Sequence, residues 1–157
     1  MGLLAIYLND HLAGSTAGLE LAQRAAANNR TSGYGPDLEQ LAAEIREDRE
    51  SLLEIMRSLG VGIDRVKVSA AWAGEKLARL KLNGRLLGYS PLSRIVELEA
   101  LTLGVTGKLA MWRALEQLET TRPELSKARL AELITRAKRQ QDGLEKQRQR
   151  AIQEGLG

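Results

Sequence analysis

Four stretches of this chain repeat apolar residues at spacings of three and four, and the connections between them run short, long, short. That spacing is the signature of amphipathic helices. The stripe Leu4, Leu8, His11, Ser15, Leu19, Ala22, Ala26 predicts a helix over 3–28, ending at Asn28-Asn29 before the turn-rich stretch Thr31-Ser32-Gly33-Tyr34-Gly35-Pro36. A second helix is expected from Pro36-Asp37, carrying Leu38, Leu41, Ala42, Ile45, Leu52, Met56 and Leu59 and closed by Gly60 and Gly62. Ser90-Pro91 opens a third, with serine as cap and proline in the first turn. It runs to about 119 with Leu92, Ile95, Leu98, Thr102, Val105 and Leu109 inward. After the turn Thr120-Thr121-Arg122-Pro123, a fourth helix is predicted over 124–153 with Leu130, Leu133, Ile134, Ala137, Leu144 and Ala151 on one side.

The short turns make the first and second helices antiparallel neighbours, and likewise the third and fourth. The connection 61–90 is long enough to travel the length of a bundle and restart at the other end. It carries a helical pattern of its own (Val66, Trp72, Leu77, Leu80, Leu86, Leu87), with Asp64 as a cap and Asn83-Gly84 as a break. No strand-like alternation and no internal repeat is visible, so the chain is expected to be all-α, one helical-bundle domain over 1–157.

Composition agrees. The 157 residues are 43% hydrophobic and 27% charged, the balance of a folded globular chain. Phe is absent and aromatics make up 3%, which leaves Leu, Ile, Val and Ala to build a core of close-packed helices. The lack of cysteine excludes disulfides, thiolate metal sites and cysteine nucleophiles. The start Met1-Gly2-Leu3-Leu4-Ala5-Ile6 has no basic lead and is interrupted by Asn9, Asp10 and His11, so it reads as the beginning of a helix rather than a secretory signal. Ile6 stands where a myristoylation motif wants Ser or Thr. No apolar run approaches the ~20 residues that span a bilayer. A cytoplasmic location without a membrane partner is the resulting expectation.

In helix lengths and loop order the chain resembles the ferritin-like superfamily of bundles over roughly 3–153. The resemblance implies a four-helix bundle with one long crossover between the second and third helices. Di-metal sites of that superfamily draw a Glu from each of two helices and Glu-x-x-His from each of the other two. This sequence has a single histidine, His11, and the residue three before it is Leu8. It contains no Glu-x-x-His, which argues against ferroxidase, oxygenase and iron-storage activities.

Polar residues nevertheless fall at the middle of the predicted inner faces. Counting from the short loops puts Ser15 beside Asp48 and Arg49, at the depth of Thr102, Thr106 and Gln141, with His11 one turn below and Glu99 one turn above. A polar core layer or ligand-binding group of His11, Ser15, Asp48, Arg49, Glu99, Thr102 and Gln141 is the candidate site. A histidine bonded inside the core is the plain reading of His11. The alternative is a non-standard metal site, with iron or manganese held by His11, Glu44, Asp48 and Glu99. Asp48 and Arg49 could instead splay apart toward solvent, and the carboxylates of the second helix read as a solvated face.

Gly14 and Gly18, four apart on the first helix, suggest close helix packing, with a small-molecule cavity as the alternative. Gly104 and Gly107 weaken the third helix by roughly 1 kcal/mol each; Lys108 and Arg113 beside them read as surface residues. Net charge is only +3. The basic last helix lacks a recognition motif or stacking aromatics, which argues against nucleic acid. Segment 37–54 is acidic and segment 65–94 basic, and opposite patches on one chain suit a homodimer. The sequence thus points to a non-catalytic, homo-oligomeric scaffold or interaction module without a cofactor, the alternative being a metal-binding protein or oxidoreductase centred on His11.

Overall fold

A computed structural model describes residues 2–66 and 88–157. Among them lie four α-helices and no strand: α1 (Leu3–Asn28), α2 (Gly35–Ser58), α3 (Pro91–Leu118) and α4 (Lys127–Leu156). The expected helix around Trp72, Leu77, Leu80, Leu86 and Leu87 falls outside the described residues.

The helix ends follow from local chemistry. At α3, Ser90 Oγ accepts from the Ser93 amide at 3.2 Å while Ser93 Oγ accepts from the Ser90 amide at 3.3 Å, a reciprocal capping box ahead of Pro91. At the end of α2, Gly60 adopts φ +65° and the Val61 amide donates back to the Met56 carbonyl at 2.8 Å. That is a Schellman closure, which a glycine reaches without strain. The fourth helix starts three residues later than the pattern suggests. The Leu125 amide turns back on the Arg122 carbonyl, the Leu125 side chain is buried, and Ser126 caps the helix through the Arg129 amide.

Two apolar clusters fix the direction of each helix. One holds Ala22, Ala25 and Ala26 of α1, Leu38, Leu41 and Ile45 of α2, Ile95, Leu98 and Leu101 of α3, and Leu144 and Ala151 of α4. The other holds Leu8 and Leu12, Leu52 and Met56, Leu109 and Leu115, and Leu130 and Leu133. The end of α1 therefore meets the starts of α2 and α3 and the end of α4. The helices run up, down, down, up, with α2 and α3 parallel. The α1–α2 and α3–α4 hairpins are the tight pairs, and α1 also packs on α3.

α2 ends at one end of the bundle and α3 starts at the other, and two buried asparagines tie the residues that follow α2 and precede α3 to α1. Asn9 is 0% exposed; its Nδ2 donates to the carbonyls of Ala5 and Gly62 (2.9 and 3.0 Å), and its Oδ1 accepts from the Asp64 amide at 2.7 Å. Asn29, which ends α1, donates to Tyr89 Oη at 2.7 Å and accepts from Arg94 Nε at 2.7 Å. Beside it Tyr34 is stacked between the guanidinium groups of Arg94 and Arg150, at 4.4 and 4.3 Å, and donates its hydroxyl to Glu154 at 2.7 Å. Gly35 admits this crowding, because a Cβ there would stand 2.8 Å from the Asn29 carbonyl oxygen.

Three expected inward positions differ: Leu92, His11 and Ser15. Leu92 is 58% exposed. On α1, Leu8, Ala22 and Ala26 of the expected stripe are buried and Leu4 and Leu19 pack against the clusters, but around His11 and Ser15 the buried face is locally rotated onto Asn9, Leu12 and Ala13. The rotation follows from Asn9, whose amide has backbone partners across the interface and is buried at no loss of hydrogen bonds.

Replacing Asn9 with alanine strands the Gly62 carbonyl and the Asp64 amide. We expect a loss of about 1–3 kcal/mol, read as a lower urea midpoint with unchanged slope, whereas Asn28→Ala on the exposed side of the same helix should change little.

Candidate functional site

Midway along the bundle, α2, α3 and α4 each direct one charged or amide side chain at a common point. Asp48 is 2% exposed. Lys108 Nζ of α3 donates to Asp48 Oδ2 and to Gln140 Oε1 of α4, each at 2.5 Å. Gln140 Nε2 donates back to Asp48 Oδ2 at 3.1 Å and to Glu44 Oε2 at 3.0 Å. Arg136 stands over the other carboxylate oxygen, Nη2 to Oδ1 2.7 Å, as an ion pair off the axis of a good hydrogen bond, and donates from Nη1 to Glu47 at 2.6 Å. Arg139 donates to Glu44 at 2.8 Å, and Gln147 donates to Asp37.

A buried carboxylate is tolerated only with such partners, since an unpaired one would lose its hydration without replacement. Burial, together with the nearby Arg136 guanidinium, holds the Lys108 ammonium below its ordinary range, although the adjacent Asp48 carboxylate opposes that shift. For Glu44 burial acts upward, but hydrogen bonds from Gln140, Gln40 and Arg139 win and hold its carboxyl below the usual range. Asp48 and Glu44 are thus held against the basic face of α4 of the same chain, while Glu47 and Glu50, 66% and 62% exposed, stay on the solvated face that the sequence suggests.

The candidate residues separate into two groups. Asp48 and Glu44 join the layer. Arg49, the next residue along α2, turns the other way and donates to Thr16 at 3.3 Å. Glu99 is exposed and pairs with Arg148 at 3.5 Å. Thr102 donates to its own helix at Leu98, and Ser15 likewise at Leu12. Gln141 donates to Thr106 on the surface; the buried amide is its neighbour Gln140. His11 is half-buried, edge-on to Tyr7 with ring centroids 4.6 Å apart. Sequence reasoning missed Lys108, Arg136 and Gln140. Lys108 follows Val105 by three and precedes Trp112 by four, so the helical period places it inward, and only its charge argued for the surface.

His11, Asp48, Glu44 and Glu99 do not converge, and no group of three His, Cys, Asp or Glu among the described residues could hold a metal ion. The residues do not fit a dinuclear centre: an ammonium and a guanidinium already cover both oxygens of Asp48.

Beside the layer, a cleft of about 240 Å³ opens between α1 and α3 and reaches down to α2. Its walls include Gly14 and Gly18 on α1, Gly104 and Gly107 on α3, and His11, Asp48, Arg49, Lys108 and Trp112. Among the described residues, a Cβ built on any of the four glycines meets nothing within 4 Å. The glycines therefore do not bring two helices into close contact. They leave space at the cleft, which is the alternative reading given above for Gly14 and Gly18; for Gly104 and Gly107 the sequence carries no such reading. Trp112 is 0% exposed and its indole N–H has no acceptor among the described residues. No family model, curated protein or solved structure matches the chain.

His11 gives the cleft a pH signature. Burial lowers its pKa from 6.5, with nearby Asp10 partly opposing. The folded state then binds the proton less well than the unfolded chain, so the stability held above pH 6.5 declines as pH falls from there toward the folded pKa. In denaturant melts we expect His11→Gln and the parent to differ by a constant amount above pH 7, and the parent to lose ground below pH 6.5. A difference that stays constant through acid would place the ring in open solvent.

Proposed function

We propose that the chain is a ferritin-like bundle without catalytic chemistry, working as a homo-oligomeric scaffold or interaction module. The observation that carries the reading is the Lys108 ammonium seated between Asp48 and Gln140 at 2.5 Å from each. In a metal-bearing bundle of this order the mid-bundle carboxylates serve divalent ions. Here cationic side chains neutralise them, and the up-down-down-up order of helices supports the family likeness. A saturated polar layer of this kind fixes helix register, a role buried polar groups have in other bundles. No described helix is long and apolar enough to cross a membrane.

The oligomeric part rests on a different feature. Leu92, Val96 and Leu156, 58%, 41% and 64% exposed, lie at one end of the bundle, where α4 ends against the start of α3. An exposed apolar patch of this sort suits a partner surface.

Protein purified without chelator should carry no stoichiometric iron or manganese by elemental analysis, and should sediment as a dimer that Leu92→Glu with Val96→Glu converts to monomer. Bound metal lost on Asp48→Asn would overturn the non-catalytic reading. A monomeric parent would overturn the oligomeric one.

A further inference from the structure

We propose that the cleft between α1 and α3 is a binding site for a small amphiphilic carboxylate, seated with its apolar body between the glycine walls and its head toward Arg49 and the Trp112 indole N–H. Volume sets the size. An apolar cavity of ~150 Å³ takes up benzene, so about 240 Å³ accommodates a body of roughly ten non-hydrogen atoms. A helix, about 10 Å across with its side chains, is far too thick for it. The walls set the character of the body: Leu21, Ile45, Leu52, Leu101, Val105 and Met111 surround the space that the four glycines leave open.

The polar groups set the head. Trp112 is fully buried, lines the cleft, and its N–H has no acceptor among the described residues. A buried donor without a partner is costly, and a ligand oxygen is one way to satisfy it. Two carboxylates also line the wall: Asp48 is covered by Lys108 and Arg136, and Asp10 is engaged within the chain, beside His11. Arg49 is not neutralised in that way. It is 3.8 Å from Glu50, whose side chain is 62% exposed, and donates one hydrogen bond to Thr16. Its guanidinium keeps spare donors at the cleft. Two donors seeking oxygen, one of them cationic, beside an apolar hollow select an anionic head on a short hydrocarbon. This reading is independent of the oligomeric state proposed above.

The chain has two tryptophans, so Trp72→Phe leaves Trp112 as the sole indole reporter. Octanoate is of the right size, and octanol is its uncharged analogue. We expect octanoate to change Trp112 emission saturably and to raise Tm. Gly104→Leu, whose side chain would meet no neighbour among the described residues, should abolish both effects while leaving the helical circular dichroism intact. Arg49→Gln should weaken octanoate roughly tenfold, the scale of one charge-assisted hydrogen bond, and leave octanol unchanged. No saturable response at millimolar octanoate, by emission or by Tm, would overturn the proposal, as would binding that survives Gly104→Leu. Equal affinity for octanol and octanoate, insensitive to Arg49, would overturn the carboxylate assignment.

Discussion

The buried carboxylate of Asp48 is the constraint around which this bundle is arranged. It sits in a core otherwise built of leucine, isoleucine and alanine, and its burial is stable only because α3 and α4 each bring a donor to it. Sliding any of these helices by one turn would carry Lys108, Gln140 or Arg136 out of reach and leave a charge in low dielectric. Apolar packing alone would tolerate such slips, since the leucines recur at much the same spacing throughout. The charged layer removes that degeneracy. The same layer accounts for the absence of close backbone packing between α2 and α4: long arginines and glutamines from α4 reach across to carboxylates on α2 and hold the two helices at side-chain length.

At the ends of the bundle the problem is different. A chain that leaves α2 at one end and enters α3 at the other must be fastened at both, and Asn9 and Asn29 do so from a single helix. Both side chains satisfy donor and acceptor at once, which aliphatic residues at these positions could not do. The Tyr34 sandwich between Arg94 and Arg150 joins the first interhelical turn to α3 and α4 at the same end.

The helix boundaries were largely legible because they rest on local chemistry: Ser90-Pro91 and Gly60 act through their own backbones, whatever the rest of the chain does. The depth of Asp48 was legible too, since residue counts from a short loop translate directly into height along a helix. What escaped was azimuth. Gln140 and Gln141 both fall near the stripe of α4, and so do Asn9 and His11 on α1; only a partner across the interface decides which turns inward. Lys108 was hidden for a related reason. Its charge argues for solvent in isolation and for burial once Asp48 is opposite, and that pairing is not contained in either local sequence. The glycines of α1 and α3 were ambiguous because the same residue permits contact or opens space, depending on the distance between axes that other residues set.

The most direct test of the central role of this layer is a double-mutant cycle on Asp48 and Lys108, using Asp48→Asn, Lys108→Met and the pair, with unfolding free energies from urea melts at neutral pH. A hydrogen-bonded ion pair at this depth should show a favourable coupling of about 1–3 kcal/mol, so that the two losses do not add. Additive losses, with a coupling indistinguishable from zero, would contradict it and make Asp48 an ordinary carboxylate that the bundle can do without.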